Sequence, residues 1–295
     1  MPLLLLGLLS LVWGSSFLLM KRALLAFQPA QLGALRMAIA AACLLPLVVR
    51  SRPALRSLPW RDIALVGILG NGLPAFLFAH AQTGLDSGTT GVLNSLTPVF
   101  AVAMGVLVFG ERVAKLRLFG VALGLVGAAC LVLAGSHGPM RFDVLHTGMV
   151  LAATLCYAVS VNLIRHRLAA VSPLHIAGLG LLTVGIPSAI WLLATDIGAT
   201  LRDVPGAWTA LGYVTILAAI GTALSVVLYS RLIQTAGAVF ATSVTYLIPV
   251  VALTWGVLDG EPIGALHMAG LGTLLVGVWL ANRPASGPVL VRNAG

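Results

Sequence analysis

Hydroxyl, amide, imidazole and aromatic side chains interrupt otherwise apolar stretches of the sequence, several of them at helical spacing. Inside a membrane, a polar side chain is costly unless it faces the interior of a helix bundle or a water-filled cavity. The pattern therefore predicts a cavity whose mixed aromatic and hydroxyl lining suits a small zwitterion with an apolar side chain. The candidate substrate-binding residues are Trp13, Ser16, His80, Asn94, Thr97, Tyr157, Ser160, Thr245 and Tyr246.

Two prolines lie within these stretches and predict helix breaks or hinges. Pro98 and Pro249 each lack an N–H, so the carbonyl four residues earlier loses its helical donor. Those carbonyls belong to Asn94 and Thr245. Backbone freed at membrane depth is tolerated only where another group satisfies it. A substrate ammonium or a neighbouring Ser or Thr hydroxyl can do so, and the sequence leaves both alternatives open.

Charged and titratable side chains are rare inside the apolar stretches. His80 can gate, bind a carboxylate or carry a proton, or it can be a packed interfacial residue. Arg36 can extend to the outer surface, pair with Asp86 or bind a carboxylate. All 8 acidic residues fall at predicted helix ends or in loops. We therefore expect facilitated diffusion, or coupling through His80 or substrate protonation, rather than a buried carboxylate relay.

The composition is typical of a protein that is embedded in a lipid bilayer. Of the 295 residues, 59% are hydrophobic and 8% are charged, whereas soluble domains have roughly 25% charged residues. This excludes a water-soluble globular protein and a disordered chain. The net charge of +9 is spread singly between apolar stretches, which favours contact with the lipid bilayer and argues against a nucleic-acid partner.

Stretches of about 20 apolar residues, the length that crosses the hydrocarbon as a helix, recur along the whole chain. The predicted fold class is an all-α membrane protein with ten transmembrane helices. The expected spans are Leu3–Met20, Gln31–Val49, Ile63–Gln82, Gly88–Phe109, Leu118–Gly135, Leu145–Leu163, Pro173–Thr195, Trp208–Tyr229, Ala236–Leu258 and Gly264–Asn282.

The second half of the sequence repeats the first. Leu96–Phe100 matches Leu247–Val251, and each segment is followed by an apolar stretch and then Gly-Glu. Each half holds five spans, and because five is odd the halves enter the membrane from opposite sides. We predict two inverted five-helix repeats at residues 1–136 and 143–284, followed by a short tail at 285–295. Inverted repeats are typical of alternating-access transporters, although a duplication can also build a channel or a scaffold.

The charges in the loops predict an orientation. An N-inside start puts most of the 17 Lys and Arg residues on the cytoplasmic side, so the positive-inside rule predicts that both termini are cytoplasmic. Lys21 and Arg22 follow the first span and, for that helix alone, favour the opposite orientation.

Motifs for catalysis or cofactor binding do not occur in the sequence. Cys43, Cys130 and Cys156 fall in apolar stretches, where we expect neither a disulfide nor a metal site. There is no Gly-rich phosphate loop followed by Lys, no His-Glu-x-x-His and no Gly-x-Ser-x-Gly. We expect a protein that is not an enzyme and has no cofactor. Its partners would be a small molecule and lipid, with the oligomeric state open and a monomer plausible.

Three features together resemble the drug/metabolite transporter superfamily, in its EamA family. They are Trp-Gly-Ser-Ser-Phe at 13–17, the prolines of the fourth and ninth spans, and the Gly-Glu pairs at 110–111 and 260–261. Within the family, the chain is most similar to the YddG-type amino-acid exporters. The resemblance implies a ten-helix fold and export of amino acids, or of another metabolite, across an inner membrane. The second half departs from the pattern, with Tyr157 and Ala158 at the Trp-Gly position.

Overall fold

The computed structural model describes residues 2–51, 58–108, 110, 114–135, 143–236, 244–260 and 264–281. Within these residues all regular structure is helical, as the apolar stretches predict. Seven of the described helices are long and apolar enough to cross a membrane, and three further predicted spans hold shorter apolar helices. The predicted tail at 285–295 lies outside the described residues.

The helices are numbered in chain order. They are α1 (Pro2–Ala23), α2 (Pro29–Ser51), α3 (Trp60–Ala81), α4 (Ser87–Leu107), α5 (Lys115–Gly135), α6 (Val144–Arg167), α7 (Pro173–Leu193), α8 (Ile197–Asp203), α9 (Ala207–Ala218, Ala219–Leu224 and Ser225–Ala236), α10 (Val244–Leu258) and α11 (Ala265–Ala281). The short α8, between α7 and α9, is not among the predicted spans.

Two helices contain a wide π turn near their middle. In α3 it covers Ile68–Gly72, just before Pro74, which cannot donate to the carbonyl of Gly70. In α9 it covers Ala219–Leu224, where the Ser225 hydroxyl donates to the Ile220 carbonyl at 2.7 Å. In both helices, proline or hydroxyl chemistry accompanies the change in the backbone hydrogen-bond pattern. Such turns are frequent at functional sites.

The helix α4 is interrupted before Pro98. It consists of Ser87–Asn94 and Thr97–Leu107, with a turn between them. The Thr97 hydroxyl donates to the carbonyl of Asn94 at 2.7 Å. A local hydroxyl therefore satisfies the Asn94 carbonyl that the proline frees, whereas both alternatives stay open for the carbonyl of Thr245. Pro249, by contrast, lies inside the continuous helix α10.

Glycines close α4 and α10 in the left-handed conformation. Gly110 has φ +65° and Gly260 has φ +81°, values that side chains with a Cβ rarely adopt. Glycine at this position is a common helix C-terminal signal, so the glycines of the Gly-Glu pairs are explained by backbone geometry. Glu111 and Glu261, which follow them, lie outside the described residues.

The helices α2 and α7 pack antiparallel at very short range. Val48 contacts Gly178 early in α7, whereas Ala41, earlier in α2, contacts Gly185 further along α7. A methyl group on Gly185 would lie 2.3 Å from the Cβ of Ala41 and 2.8 Å from the carbonyl of Met37. Small residues thus allow the two backbones to approach, as is common between membrane helices.

The helices α5 and α11 pack in the same antiparallel way. A methyl group on Gly127 would lie 2.4 Å from the backbone nitrogen of Leu274, and one on Gly277 would lie 2.3 Å from the backbone nitrogen of Gly124. Both contacts are with backbone atoms, which cannot move aside as a side chain can. This interface depends on glycine at both positions.

The outer surface of the helices is apolar, and the interior is closely packed. Leu107, Leu193 and Trp208 are 80%, 87% and 69% exposed, as is expected of side chains that contact lipid. Leu9 and Met37 are fully buried. The chain therefore has the apolar exterior of a membrane protein.

Charged side chains form contacts at the helix ends. At the end of α1, Lys21 donates to Asp259 at 2.6 Å, and Arg22 also binds Asp259. This carboxylate follows α10, so the contact joins the C-terminal ends of α1 and α10. Elsewhere, Arg167 of α6 binds Asp62 of α3 at 3.2 Å.

A second polar contact lies at the start of α6. Asp143 accepts a hydrogen bond from His146 at 2.5 Å, and the other ring nitrogen of His146 lies 3.0 Å from the Thr83 hydroxyl. The hydrogen bond from His146 lowers the pKa of Asp143. The start of α6 is therefore tied to the loop after α3.

The contact between α1 and α10 should depend on pH. The hydrogen bond from Lys21 lowers the pKa of Asp259, so the carboxylate stabilises the fold above its ordinary pKa of about 4 and loses that effect as the pH falls through the lowered value. We expect Asp259→Asn to lower the unfolding temperature of detergent-purified protein at neutral pH. The difference from wild type should shrink as the pH is lowered below about 4.

The matched control for this prediction is Asp203→Asn, at the exposed end of α8, where no ion pair is found in the described part of the chain. It should leave the unfolding temperature near wild type at neutral pH. An Asp259→Asn protein as stable as wild type at neutral pH would contradict the prediction.

Candidate functional site

One face of α1 lies on the π turn of α9. The indole N–H of Trp13 donates to the carbonyl of Gly221 at 3.0 Å. Ser16 is buried one turn further along α1, and its hydroxyl would be 3.2 Å from a methyl group on Gly221. The Trp13 ring also packs against Tyr229 of α9, with ring centroids 5.3 Å apart. Two residues predicted from the sequence therefore contact the same turn.

A second contact of the same kind joins α6 to α3. The Ser160 side chain is 4% exposed, and its hydroxyl would be 2.4 Å from a methyl group on Gly70, in the π turn of α3. One turn earlier in α6, Tyr157 stacks on Phe78 of α3 with centroids 5.8 Å apart. Phe78 also meets Phe17 of α1 edge-on, at 5.8 Å. These aromatic rings connect the α6–α3 contact to α1.

Arg36 of α2 also reaches the π turn of α9. Its Nε donates to the Thr222 hydroxyl at 3.3 Å. Thr222 is 5% exposed, so the guanidinium is directed to the interior of the bundle. Of the alternatives considered from the sequence, extension to the outer surface and pairing with Asp86 do not describe this side chain.

Asn94 precedes the break in α4 and carries an unmatched acceptor. Its backbone carbonyl is satisfied by Thr97, but its side-chain Oδ1 is buried and has no hydrogen-bond partner among the described residues. Gln82 is similar, because its Nε2 donates to the carbonyl of Phe17 at 3.0 Å while its Oε1 has no partner in the described part of the chain. Buried polar atoms are usually hydrogen-bonded, so these acceptors are candidates for binding a donor.

The other candidates from the sequence are more dispersed. Thr245 is half-buried in the first turn of α10, and Pro249 is buried in the same helix. Tyr246 lies in α10, but its side chain is outside the described part of the protein. His80 is exposed in the last turn of α3, about two helical turns past the π turn. The contacts above do not include it, and its role stays a prediction.

The comparison with family models decides the assignment. The model of the EamA-like transporter family matches residues 1–133 and 147–283. The chain belongs to this family. It is therefore a membrane transporter, and the family predicted from the sequence motifs is confirmed.

Several relatives of this EamA-family chain are named as transporters. It is 26% identical over 285 residues to the inner membrane transporter YedA of Escherichia coli strain K12, covering 93% of this chain and 88% of that protein. It is 29% identical over 287 residues to a probable terminal-alkyne amino-acid exporter of Streptantibioticus cattleyicolor, covering 93% and 91% of the two chains. A probable amino-acid metabolite efflux pump of Salmonella typhimurium is 25% identical over 282 residues, with 91% and 90% covered.

A solved structure shares the fold of this EamA-family transporter. A crystal structure superposes with a TM-score of 0.63 at 19% identity, covering 94% of this chain and 95% of the other. At this identity the likeness concerns the fold alone.

An apolar groove lies between α2, α3 and α7, apart from the polar contacts described above. Its volume is about 400 Å³, and residues such as Ala34, Phe76 and Pro187 line it. Its two hydroxyl residues, Thr183 and Ser188, donate to carbonyls of their own helix. The groove of this transporter thus has the character of a lipid-facing surface.

Several features of this transporter's site are not evident from its sequence. They are the two π turns, their residues Gly70, Gly221 and Thr222, and the aromatic partners Phe78 and Tyr229. The signal that was available is the cluster of glycines around Asn71 followed by Pro74. Which helix face would contact each turn depends on tertiary packing, which no local pattern specifies.

Proposed function

We propose that this protein is a secondary transporter that exports small amphipathic metabolites, most of all amino acids including aromatic and apolar ones, by alternating access through a central cavity. The observation that carries the proposal is that helix faces with polar residues contact π turns of other helices. Trp13 and Ser16 of α1 contact α9, and Ser160 of α6 contacts α3. Polar side chains inside spans typically mark substrate pathways.

The proposed architecture is ten transmembrane helices in two inverted repeats, residues 1–136 and 143–284. The helices α2 and α7 occupy equivalent places in the two halves, as do α5 and α11. Both pairs run antiparallel in contact with each other, which is what halves of opposite orientation require. Ligand sites of inverted-repeat transporters lie near the midplane, between the repeats.

Further contacts recur at equivalent places and support this arrangement. The pairs Trp13–Tyr229 and Tyr157–Phe78 join the first and third helices of opposite halves. Gly14 of α1 packs against Val251 of α10. At the equivalent place between α6 and α4, the Asn162 side chain of α6 donates to the carbonyls of Ala158 in α6 and Ala101 in α4.

The proposed location is an inner membrane, as the name of the YedA relative says of that protein. Both termini would face the cytoplasm, because that orientation places most Lys and Arg residues inside. The pairing of Lys21 and Arg22 with Asp259 is consistent with it, since a carboxylate partly offsets the two cations that this orientation leaves on the outer side.

The proposed substrate class rests on chemistry and on relatives. Two relatives are named as a probable amino-acid exporter and a probable amino-acid metabolite efflux pump. The protein has aromatic rings at the π turn of α9, the guanidinium of Arg36 on the same turn, and in α4 the Asn94 Oδ1, which has no partner among the described residues. These groups complement the parts of an amino acid with an apolar side chain. Export of another metabolite or drug is the alternative within the same superfamily.

Counterflow in proteoliposomes tests the proposal. We expect preloading with unlabelled L-phenylalanine to stimulate uptake of the radiolabelled amino acid several-fold over unloaded vesicles, because a carrier exchanges substrate without net flow. Uptake should saturate with concentration. Sugars and cationic drugs, added as competitors, should inhibit less than amino acids.

Uptake that neither saturates nor responds to preloading would indicate a channel. Saturable counterflow of a drug or sugar, with none for any amino acid, would retain the carrier and overturn the substrate class. Repeating the assay with and without a pH gradient, in wild type and in His80→Ala, tests the coupling. A strong gradient dependence that survives in His80→Ala would exclude a proton-carrying role for this histidine.

A further inference from the structure

The guanidinium of Arg36 has N–H donors that no described residue accepts. Arginine carries five N–H donors and keeps its charge in proteins. With the described residues Arg36 makes one hydrogen bond, from Nε to the Thr222 hydroxyl at 3.3 Å, which is long for this kind of bond. Among the residues that the structure describes, no carboxylate lies within ion-pair distance of it.

The position of Arg36 makes this unusual. The residue lies about two turns into α2, and its partner Thr222 is in the interior π turn of α9. A charged side chain inside a span normally pairs with another group or faces a water-filled cavity that serves a substrate or ion pathway. Neutral Thr222 cannot offset the charge, so Arg36 has the chemistry of a site for an anion.

The surroundings of Arg36 favour an organic anion with an apolar body. The Trp13 ring packs against Tyr229 of α9, with ring centroids 5.3 Å apart. The Trp13 indole binds the carbonyl of Gly221, the residue next to Thr222. An aromatic side chain therefore contacts the same π turn that Arg36 reaches.

A second unmatched group in the protein has the opposite polarity. The buried Oδ1 of Asn94 accepts no hydrogen bond from the described residues. A guanidinium with free donors and an amide oxygen with a free lone pair are the complements of a carboxylate and an ammonium. Both groups of an amino acid therefore have a candidate partner.

We propose that Arg36 binds the carboxylate of the transported substrate, through its two terminal nitrogens, and so selects carboxylic acids over their amides and amines. This inference rests on the proposed function and specifies its substrate class. Guanidinium and carboxylate match in a bidentate geometry that an ammonium cannot reproduce. Arg36→Lys should therefore retain only part of the selectivity.

The test compares one substrate with and without its carboxylate. L-phenylalanine and L-phenylalaninamide compete against labelled L-phenylalanine in the counterflow assay of wild type, Arg36→Gln and Thr222→Val. We expect wild type to prefer the acid by roughly 10- to 100-fold, in keeping with a charge-assisted hydrogen-bond pair. In Arg36→Gln the preference should be lost, with an acid-to-amide ratio of about 1. Thr222→Val keeps the cation and removes its protein partner, so it should preserve the preference for the acid.

The preference ratio separates binding from a structural role. If Arg36 only supports the fold, Arg36→Gln will lower uptake or leave it unchanged without altering the ratio of acid to amide. That result would overturn the proposal. An equal preference in wild type would overturn it as well.

Binding measured without transport separates this proposal from the proposed function. The unfolding temperature of purified wild type and Arg36→Gln is compared with L-phenylalanine, phenylacetate, L-phenylalaninamide and inorganic phosphate. Stabilisation by the two carboxylates that is lost in Arg36→Gln supports the site even if no amino acid is transported. Stabilisation by phosphate alone, or equally by the amide, overturns it.

Discussion

Replacing Trp13 by alanine should reduce counterflow by about tenfold or more while the protein is still inserted and folded. The substitution removes the donor to the Gly221 carbonyl, which Trp13 binds at 3.0 Å. It also removes the ring that packs against Tyr229. An unmatched buried carbonyl costs about 1–3 kcal/mol, and an aromatic pair contributes about 0.5–1.5 kcal/mol more. A tenfold change needs only about 1.4 kcal/mol.

The effect should be on transport rather than on folding alone, because this contact joins α1 to the π turn of α9. Trp13→Phe separates the two parts of the interaction, since it keeps an aromatic ring and removes the indole N–H. We expect its flux to be intermediate between wild type and Trp13→Ala. Initial rates of counterflow, normalised to the protein recovered as a monodisperse peak in detergent, provide the measurement.

Trp208→Ala is the matched control, because this tryptophan is 69% exposed at the start of α9. Its flux should stay close to wild type. Asn94→Ala provides a second, independent variant of the site and should also reduce flux, since it removes the unmatched Oδ1. Wild-type flux in Trp13→Ala, Trp13→Phe and Asn94→Ala would remove these residues from the substrate pathway.

The sequence predicts the parts of this protein that depend on local chemistry. Apolar length identifies the spans because hydrocarbon thickness sets the length of a helix. The glycines of the Gly-Glu pairs identify two helix ends because few other residues adopt the positive φ seen at Gly110 and Gly260. The break before Pro98 follows from the missing N–H.

Interactions between helices are less accessible to sequence analysis. The sequence leaves open whether Arg36 extends to the outer surface, pairs with Asp86 or binds a carboxylate. Its contact with Thr222 depends on how closely α2 approaches α9. The same applies to the π turns, because a glycine cluster permits such a turn without requiring it. His80 is the converse case, since a histidine in a span suggests a site, yet its side chain is exposed at the end of α3.

The contacts that recur in the two proposed halves indicate which helices move during transport. The polar contacts at α3 and α9 involve backbone in a π turn, a feature that is frequent at functional sites. The glycine contacts between α5 and α11 involve regular helices at backbone distance. We therefore expect α5 and α11 to act as a rigid support, while the other helices change their contacts during transport.

The same substitution at two glycines of the α5–α11 pair should have opposite effects on stability. In Gly127→Ala the new methyl group would lie 2.4 Å from a backbone nitrogen and 2.8 Å from a backbone carbonyl of α11. The helices must separate, at a cost of about 2 kcal/mol or more. In Gly272→Ala the methyl group meets nothing within 4 Å, and the higher helix propensity of alanine should stabilise α11 by up to about 1 kcal/mol.

The position equivalent to Gly127 in the other proposed half is Gly277, which provides a third variant. Gly277→Ala places its methyl group 2.3 Å from the backbone of Gly124, so it should destabilise the protein as much as Gly127→Ala does. Unfolding temperatures in one detergent should fall by roughly 4–8 °C for both and stay level or rise for Gly272→Ala. Equal stability of all three variants would mean that α5 and α11 are not in backbone contact. A loss confined to one of the two contact glycines would argue against equivalent halves, because an inverted repeat places both positions in the same environment.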